Sequence, residues 1–289
     1  MSVNRYLLIV LLVFAVTLPA TAQRDDFLGR GELVLSAGGM NYIGDLNNQS
    51  VFSMPHFAFG AGLHERLDNR WAIRIEAFYG NVSCEHDYLE RRNLSFRSHI
   101  YEGTVVGEFY FRPFGTGATE SQWTPYIFGG VGFFMFNPEA LYTASDGTEQ
   151  WVALQPLHTE GQGTSLYLDR RPYALVQLCM PFGVGFRWRM GKSFSLSVEY
   201  GFRKTWTDYL DDVSTTYVGS EVLLNSSGDA EMAAEMADRT DEVVPGCENA
   251  PGIKRGDDSL DDWYACFNIS IGVSLETILG WTRSKRCKL

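Results

Sequence analysis

Eight candidate strands, several with two-residue alternation and joined by connections that are by turns short and long, constrain this chain more than any other feature of its sequence. A row that repeats every second position marks a strand whose two faces meet different surroundings. In 71–79 the apolar row is Trp71, Ile73, Ile75, Ala77 and Tyr79, with Arg74 and Glu76 between its members. In 194–202 it is Phe194, Leu196, Val198, Tyr200 and Phe202, against Ser195, Ser197 and Glu199. The longest row is Trp263, Ala265, Phe267, Ile269, Ile271, Val273 and Leu275, facing away from Asn268, Ser270, Ser274 and Glu276. Strands are expected at 31–40, 55–66, 70–81, 98–112, 123–136, 173–190, 193–204 and 262–277. Most of them reach the roughly 9 to 11 residues that a tilted membrane strand needs. The fifth is apolar on both faces over 126–136, so its register is open.

The short connections fall at Asp68-Asn69, Pro113 to Gln122 and Gly191-Lys192, and the long ones at 41–54, 82–97, 137–172 and 205–261. Short turns at one end and long loops at the other are the habit of outer-membrane barrels, and a soluble sandwich has no reason to sort its loops so. The expectation is an all-β fold, an eight-stranded antiparallel transmembrane β-barrel with long extracellular loops. A soluble calycin-like barrel is the fold alternative, and it would turn the apolar rows inward. No apolar run after the first 22 residues is long enough for a membrane helix.

Those first residues read as an export signal: Arg5, an apolar stretch from Tyr6 to Leu18, and Ala20-Thr21-Ala22 ahead of a cut at about Ala22. The organisation that follows is a signal at 1–22, a barrel at 23–280 and a basic periplasmic tail at 281–289, with the cell outer membrane as destination. The tail carries Arg283, Lys285, Arg286, Lys288 and Cys287. The other cysteines are Cys84, Cys179, Cys247 and Cys266, an odd total of five, which makes Cys287 a candidate tether to a partner.

If the apolar rows face lipid, the opposite rows must fill a barrel too narrow for an open channel. That assigns Arg66, Arg74, Arg112, Arg187, Arg189 and Arg203 to the lumen, against Glu32, Glu76, Glu102, Glu108, Glu199 and Glu276. Six against six predicts a neutral, ion-paired interior, because an unpaired charge there is costly. The net charge of −11 comes from elsewhere: 205–262 holds 15 acidic residues against Arg239, Lys254 and Arg255. Asp208, Asp211 and Asp212, and the doublets Asp257-Asp258 and Asp261-Asp262, lack the spacing of a calcium loop and read as a solvated acidic surface. The composition of 229–239 predicts a short helix.

No catalytic or metal motif appears. Ser98 with His99 and His64 with Glu65 are the candidates for lipid-modifying chemistry, but neighbours on a strand point to opposite faces. The Gly-rich runs 128–132 and 181–186 lack a phosphate-binding lysine, and no basic nucleic-acid patch is visible. The reading is a non-enzyme without cofactor, in contact with outer-membrane lipid. Its role is either anchoring and assembly, or binding of an outside ligand or surface through the long acidic loops.

Particular stretches carry a family resemblance: Asn41-Tyr42-Ile43-Gly44-Asp45-Leu46-Asn47, Arg92-Asn93-Leu94-Ser95-Phe96-Arg97-Ser98, Thr124-Pro125-Tyr126-Ile127-Phe128, Leu154-Gln155-Pro156-Leu157, and Phe202-Arg203-Lys204-Thr205 through Asp208-Tyr209-Leu210-Asp211-Asp212-Val213-Ser214. Together they resemble the PorG-like outer-membrane barrels of Bacteroidota, in order from about Gly31 to the C-terminal tail. The resemblance implies a part in the type IX protein-secretion system, next to a periplasmic ring of a lipoprotein and its partner, and brings no catalytic residues.

Overall fold

The structure, a computed structural model, describes residues 30–47, 56–84, 92–115, 117, 119–144, 146–225 and 229–286, with side chains as far as Gly280. The export signal at 1–22, Cys287 and the side chains of the basic tail lie outside the described residues. Eight strands make the barrel: β1 (Gly31–Ile43), β2 (His56–Arg66), β3 (Trp71–Cys84), β4 (Phe96–Tyr110), β5 (Trp123–Met135), β8 (Val176–Met190), β9 (Phe194–Thr205) and β10 (Trp263–Ser274). Each pairs antiparallel with its neighbours in the order β3-β2-β1-β10-β9-β8-β5-β4, and β4 pairs back with β3, so the sheet is closed. First and last strands meet from Glu32 opposite Ser274 to Ile43 opposite Trp263. Closure leaves the barrel without a free edge, which is how strands satisfy their backbone in lipid.

The alternation read from the sequence governs the faces. In β3, Trp71, Ile73, Ile75 and Tyr79 are exposed, whereas Ala72, Arg74, Glu76 and Phe78 are buried. The same outward row includes Leu35, Leu63, Val131, Val184 and Ile271. The calycin-like alternative is thereby overturned, since the apolar rows face outward and the charges inward. In β5 the open register resolves with Tyr126, Phe128 and Phe134 inside and Ile127, Val131, Phe133 and Met135 outside. Phe128 fits because Gly183 and Gly201 face each other beside it. A Cβ on either glycine would stand 2.8 or 2.6 Å from the ring's Cζ.

Aromatics gather where the band ends. Near the short turns Trp71 packs on Phe109 at 4.9 Å and Trp123 on Phe186 at 5.5 Å; near the long loops Tyr79 packs on Tyr101 at 5.0 Å and Phe182 on Trp263 at 5.9 Å. Two such girdles around an apolar belt match the two interfaces of a bilayer.

One strand end needs correction, and two of the long connections carry structure of their own. The long connection at 137–172 holds two strands: β6 (Pro138–Thr143) and β7 (Glu149–Ala153) form a hairpin that extends β4 through Arg97 opposite Glu139. The last strand ends at Ser274 rather than 277, because β1 begins at Gly31 and offers no partner beyond Glu32; helix α3 (Leu275–Arg286) follows. The long acidic loop is folded, with α1 (Ser220–Leu224) and α2 (Ala230–Ala237), the latter within the expected 229–239. Buried Leu154, Leu157, Val218, Leu223, Ala233 and Met236 bring the β6–β7 arm and both helices into one small core above the barrel.

Candidate functional site

Two buried polar assemblies occupy the barrel axis, one within the strands and one at the mouth bearing the long loops. In the lower assembly Arg74 clamps Glu199 in a bidentate pair (Nη1–Oε1 2.5 Å, Nη2–Oε2 2.9 Å), with Glu108 at 3.2 Å and Glu76 at 3.1 Å from the same guanidinium. Arg187 lies 3.5 Å from Glu108 and donates to Tyr110 Oη at 2.9 Å and Ser197 Oγ at 2.9 Å. Higher up, Arg203 pairs with Glu102 at 3.3 Å, and Tyr264 donates to the same carboxylate at 2.6 Å. Ser36 donates to Glu76 and Ser195 to Glu32, each at 2.6 Å. All of these side chains are buried. Charges so placed must be paired and hydrogen-bonded to be tolerated, and here each cation reaches at least one carboxylate on a non-neighbouring strand.

Ten of the twelve lumen assignments face the interior, and two do not. Arg66 and Arg189 sit at the short-turn mouth, Arg66 donating to the Phe114 carbonyl at 3.1 Å and Arg189 lying 5.9 Å from the Phe114 ring centre. Arg112 is exposed, with its guanidinium 3.9 Å over the Trp123 ring. It follows the end of β4 at Tyr110, so the strand's alternation no longer directs it. Glu276 is exposed in the first turn of α3, where a helix has replaced the expected strand.

The sequence reading passed over the polar aromatics of this interior. Tyr110 and Tyr126 donate to Glu108 and Glu199, and His64 lies 3.3 Å from Glu108. Tyr110 shares its parity with Glu108, and Tyr264 shares its with Asn268, so alternation alone would have found both. His64 thus belongs to a packed network rather than to a pair with Glu65. Ser98 and His99 diverge as expected: Ser98 is buried and accepts the Asn137 N–H at 3.0 Å, while His99 stacks outside on Tyr79.

The upper assembly overturns the reading of the acidic cluster as a solvated surface. Asp208, Asp211, Asp212 and Asp262 are buried, with Asp211, Asp212 and Asp262 at 1 % exposure or less; Asp258 and Asp261 do stay at the surface. Arg255 is the organising cation. It lies 3.0 Å from Glu160 and 3.7 Å from Asp212, and donates to the Asp212 carbonyl at 2.6 Å and the Ala237 carbonyl at 3.1 Å. Glu160 in turn receives the N–H groups of Ser214 and Thr215 and the Thr215 hydroxyl. Asp212 accepts from Thr159 at 2.5 Å and Tyr173 at 2.7 Å, and burial still raises its carboxyl to about 6. Arg92, from the β3–β4 connection, donates to the carbonyls of Arg255 and Asp45. All four long connections are thus sewn into one cap.

Among the described residues no group of three or more His, Cys, Asp or Glu is arranged to hold a metal ion. No disulfide joins Cys84, Cys179, Cys247 and Cys266 to one another. An open cleft of about 580 Å³ lies on the cap, with Arg170, Arg171, Lys254, Asp169 and Asp258 at its walls.

Solved structures similar to the chain include Ail, the attachment invasion locus protein of Yersinia pestis (8% identity, TM-score 0.39, 85% of this chain and 97% of that one). Others are Neisserial surface protein A (9%, 0.39, 84% and 96%) and the outer membrane protein OprG from Pseudomonas aeruginosa (12%, 0.35, 86% and 99%). The barrel assignment rests on the closed strand pairing rather than on likenesses of this size. No curated protein matches the sequence. A sequence family does match over residues 5–154, which is 150 of 289 positions and includes β1 to β7. The chain therefore belongs to the DUF6089 family, a domain of unknown function.

Proposed function

We propose that this protein is a non-enzymatic outer-membrane barrel that anchors or assembles a type IX protein-secretion complex. The observation behind the reading is the combination of a lipid-facing apolar belt with a lumen filled by the Arg74–Glu199 and Arg203–Glu102 pairs. Such a barrel is fixed in a bilayer yet offers no conduit along its axis, so its use lies in what its two ends hold. The resemblance to PorG-like barrels supplies the particular complex and its periplasmic ring proteins as partners. Helix α3 leaves the barrel at the short-turn end, where Thr277 meets Ser193 of the β8–β9 turn at 3.0 Å, and runs to Arg286, one position before Cys287 in the sequence. The test is recovery of the tagged protein from mildly solubilised outer membranes, resolved with and without reductant. Ring proteins are expected to copurify, and loss of a reductant-sensitive band in Cys287→Ser would assign the tether. A barrel recovered alone overturns the secretion role.

A second reading, an external binding surface, is favoured by the folding of the long loops into one cap with a polar cleft. The two readings separate on a deletion that the structure now delimits. Residues 205–214 and 255–262 are built into the mouth, so only 220–250 can be removed and bridged without opening it. Ring-protein recovery is expected to survive that deletion; its loss, with the barrel still folded, favours the external surface.

A further inference from the structure

Among the described residues the carboxylates under the cap outnumber the cations that reach them. Asp45, from the β1–β2 connection, accepts the Asp257 N–H at 2.6 Å. Asp211 and Asp262 approach the same hydroxyl, Tyr42 Oη, at 2.5 and 3.1 Å. Asp208 is 8 % exposed, and neither of its oxygens has a well-formed hydrogen bond, although Ser214 stands beside it.

The described cations have other partners. Arg255 is taken by Glu160 and Asp212, Arg92 by backbone carbonyls, and exposed Lys254 by Asp257 at 2.9 Å. Asp257, held at about 2 by Ser259 and Lys254, keeps its charge at the rim. From the β7–β8 connection Tyr209's neighbour Glu160 adds one more negative charge, and Tyr173 donates only to Asp212.

A proton count at Tyr42 completes the argument. Its hydroxyl owns one proton and also receives the Leu46 N–H at 3.4 Å, while the remaining oxygens of Asp211 and Asp262 accept the N–H groups of Val213 and Leu210, both at 2.9 Å. One phenolic proton cannot serve two ionised carboxylates. Space is tight: a Cβ at Gly44 would lie 1.8 Å from Asp262 Oδ1 and 2.2 Å from Tyr42 Oη. Among the described residues no three carboxylates are grouped as metal ligands, and a proton on one of the two carboxyls satisfies the geometry around Tyr42.

We propose that the cap is latched onto the barrel mouth by a proton shared between Asp211 and Asp262 across Tyr42, and that alkaline conditions release it. Burial and mutual repulsion agree with this, pushing Asp208 up to about 9, Asp211 to about 8, and Asp262 well above the ordinary range. With the carboxyls raised in the closed cap, the stabilisation is full below about pH 4 and is lost as pH rises toward 8 to 9. Each proton released on opening multiplies the open fraction about tenfold per pH unit in that window.

The experiment is amide hydrogen exchange on the full chain in detergent micelles with chelator, each rate corrected for intrinsic exchange at its pH. From pH 6 to pH 8 the protection of 209–214 is expected to fall at least ~10-fold relative to the barrel strands. Asp262→Asn, neutral at every pH and similar in shape, is expected to flatten that dependence. Asp211→Asn serves the same purpose should the first variant fail to fold. Flat protection in the unmodified protein overturns the latch, as does a slope unchanged in both variants.

Discussion

Replacing Arg74 with alanine is expected to cost the folded barrel about 3–5 kcal/mol, the loss typical of breaking a buried ion pair from one side. The guanidinium is the common partner of Glu199, Glu108 and Glu76, which are all buried, and its removal leaves three carboxylates facing one another inside the lumen. Glu199 retains its contact with Tyr126 but has no cation in its place. Equilibrium unfolding in urea from lipid vesicles measures the loss. Because Arg74 and Glu199 act as one unit, the double variant Arg74→Met, Glu199→Gln should lose less than the sum of the two singles. A loss below about 1 kcal/mol for Arg74→Ala would mean that water reaches the network and solvates what remains, and the reading of a solid lumen would fall.

The second large effect belongs to the outer face. Ile75 stands midway along the membrane-facing part of β3, between Leu63 of β2 and Val105 of β4, and is 45 % exposed. On a soluble protein an arginine there would be nearly neutral, since its head would reach water. In a bilayer the same head meets hydrocarbon, and Ile75→Arg is expected to cost about 2–4 kcal/mol, less for positions nearer the girdles. The check is the same unfolding series in vesicles, with Trp71→Arg at the interface for comparison. Equal, small losses at both positions would show that no lipid lies against this face.

Sheet architecture was legible because alternation records a strand's two environments directly in the sequence, and 71–79 or 263–273 read the same in either direction of inference. What alternation does not carry is where pairing stops. Arg112 and Glu276 were placed inside by continuing a two-residue count past Tyr110 and Ser274, beyond the last residues with partners. The cap was misread for a different reason. Asp208, Asp211 and Asp212 look like surface residues until Arg255, Glu160 and Tyr42 are brought to them from 40 to 170 positions away. Helix composition showed α2, but no local pattern announces a contact such as Arg255 with Glu160. The β6–β7 hairpin escaped because its strands, of six and five residues, are too short to establish a row.

The distance in sequence between the partners of each lumen pair bears on how the protein reaches its membrane. Arg74 and Glu199 are 125 residues apart, Glu102 and Arg203 are 101, and the first strand waits for the last to close the wall. A sheet that entered the bilayer hairpin by hairpin would carry Arg74 and Glu76 on a face still open to hydrocarbon, long before β9 arrived with the matching carboxylate. Charges in that position are expensive enough to hold such an intermediate back at the interface. Neutralisation of the interior and passage into the membrane are therefore expected to be one event, in which the chain curls first and crosses as a nearly finished cylinder.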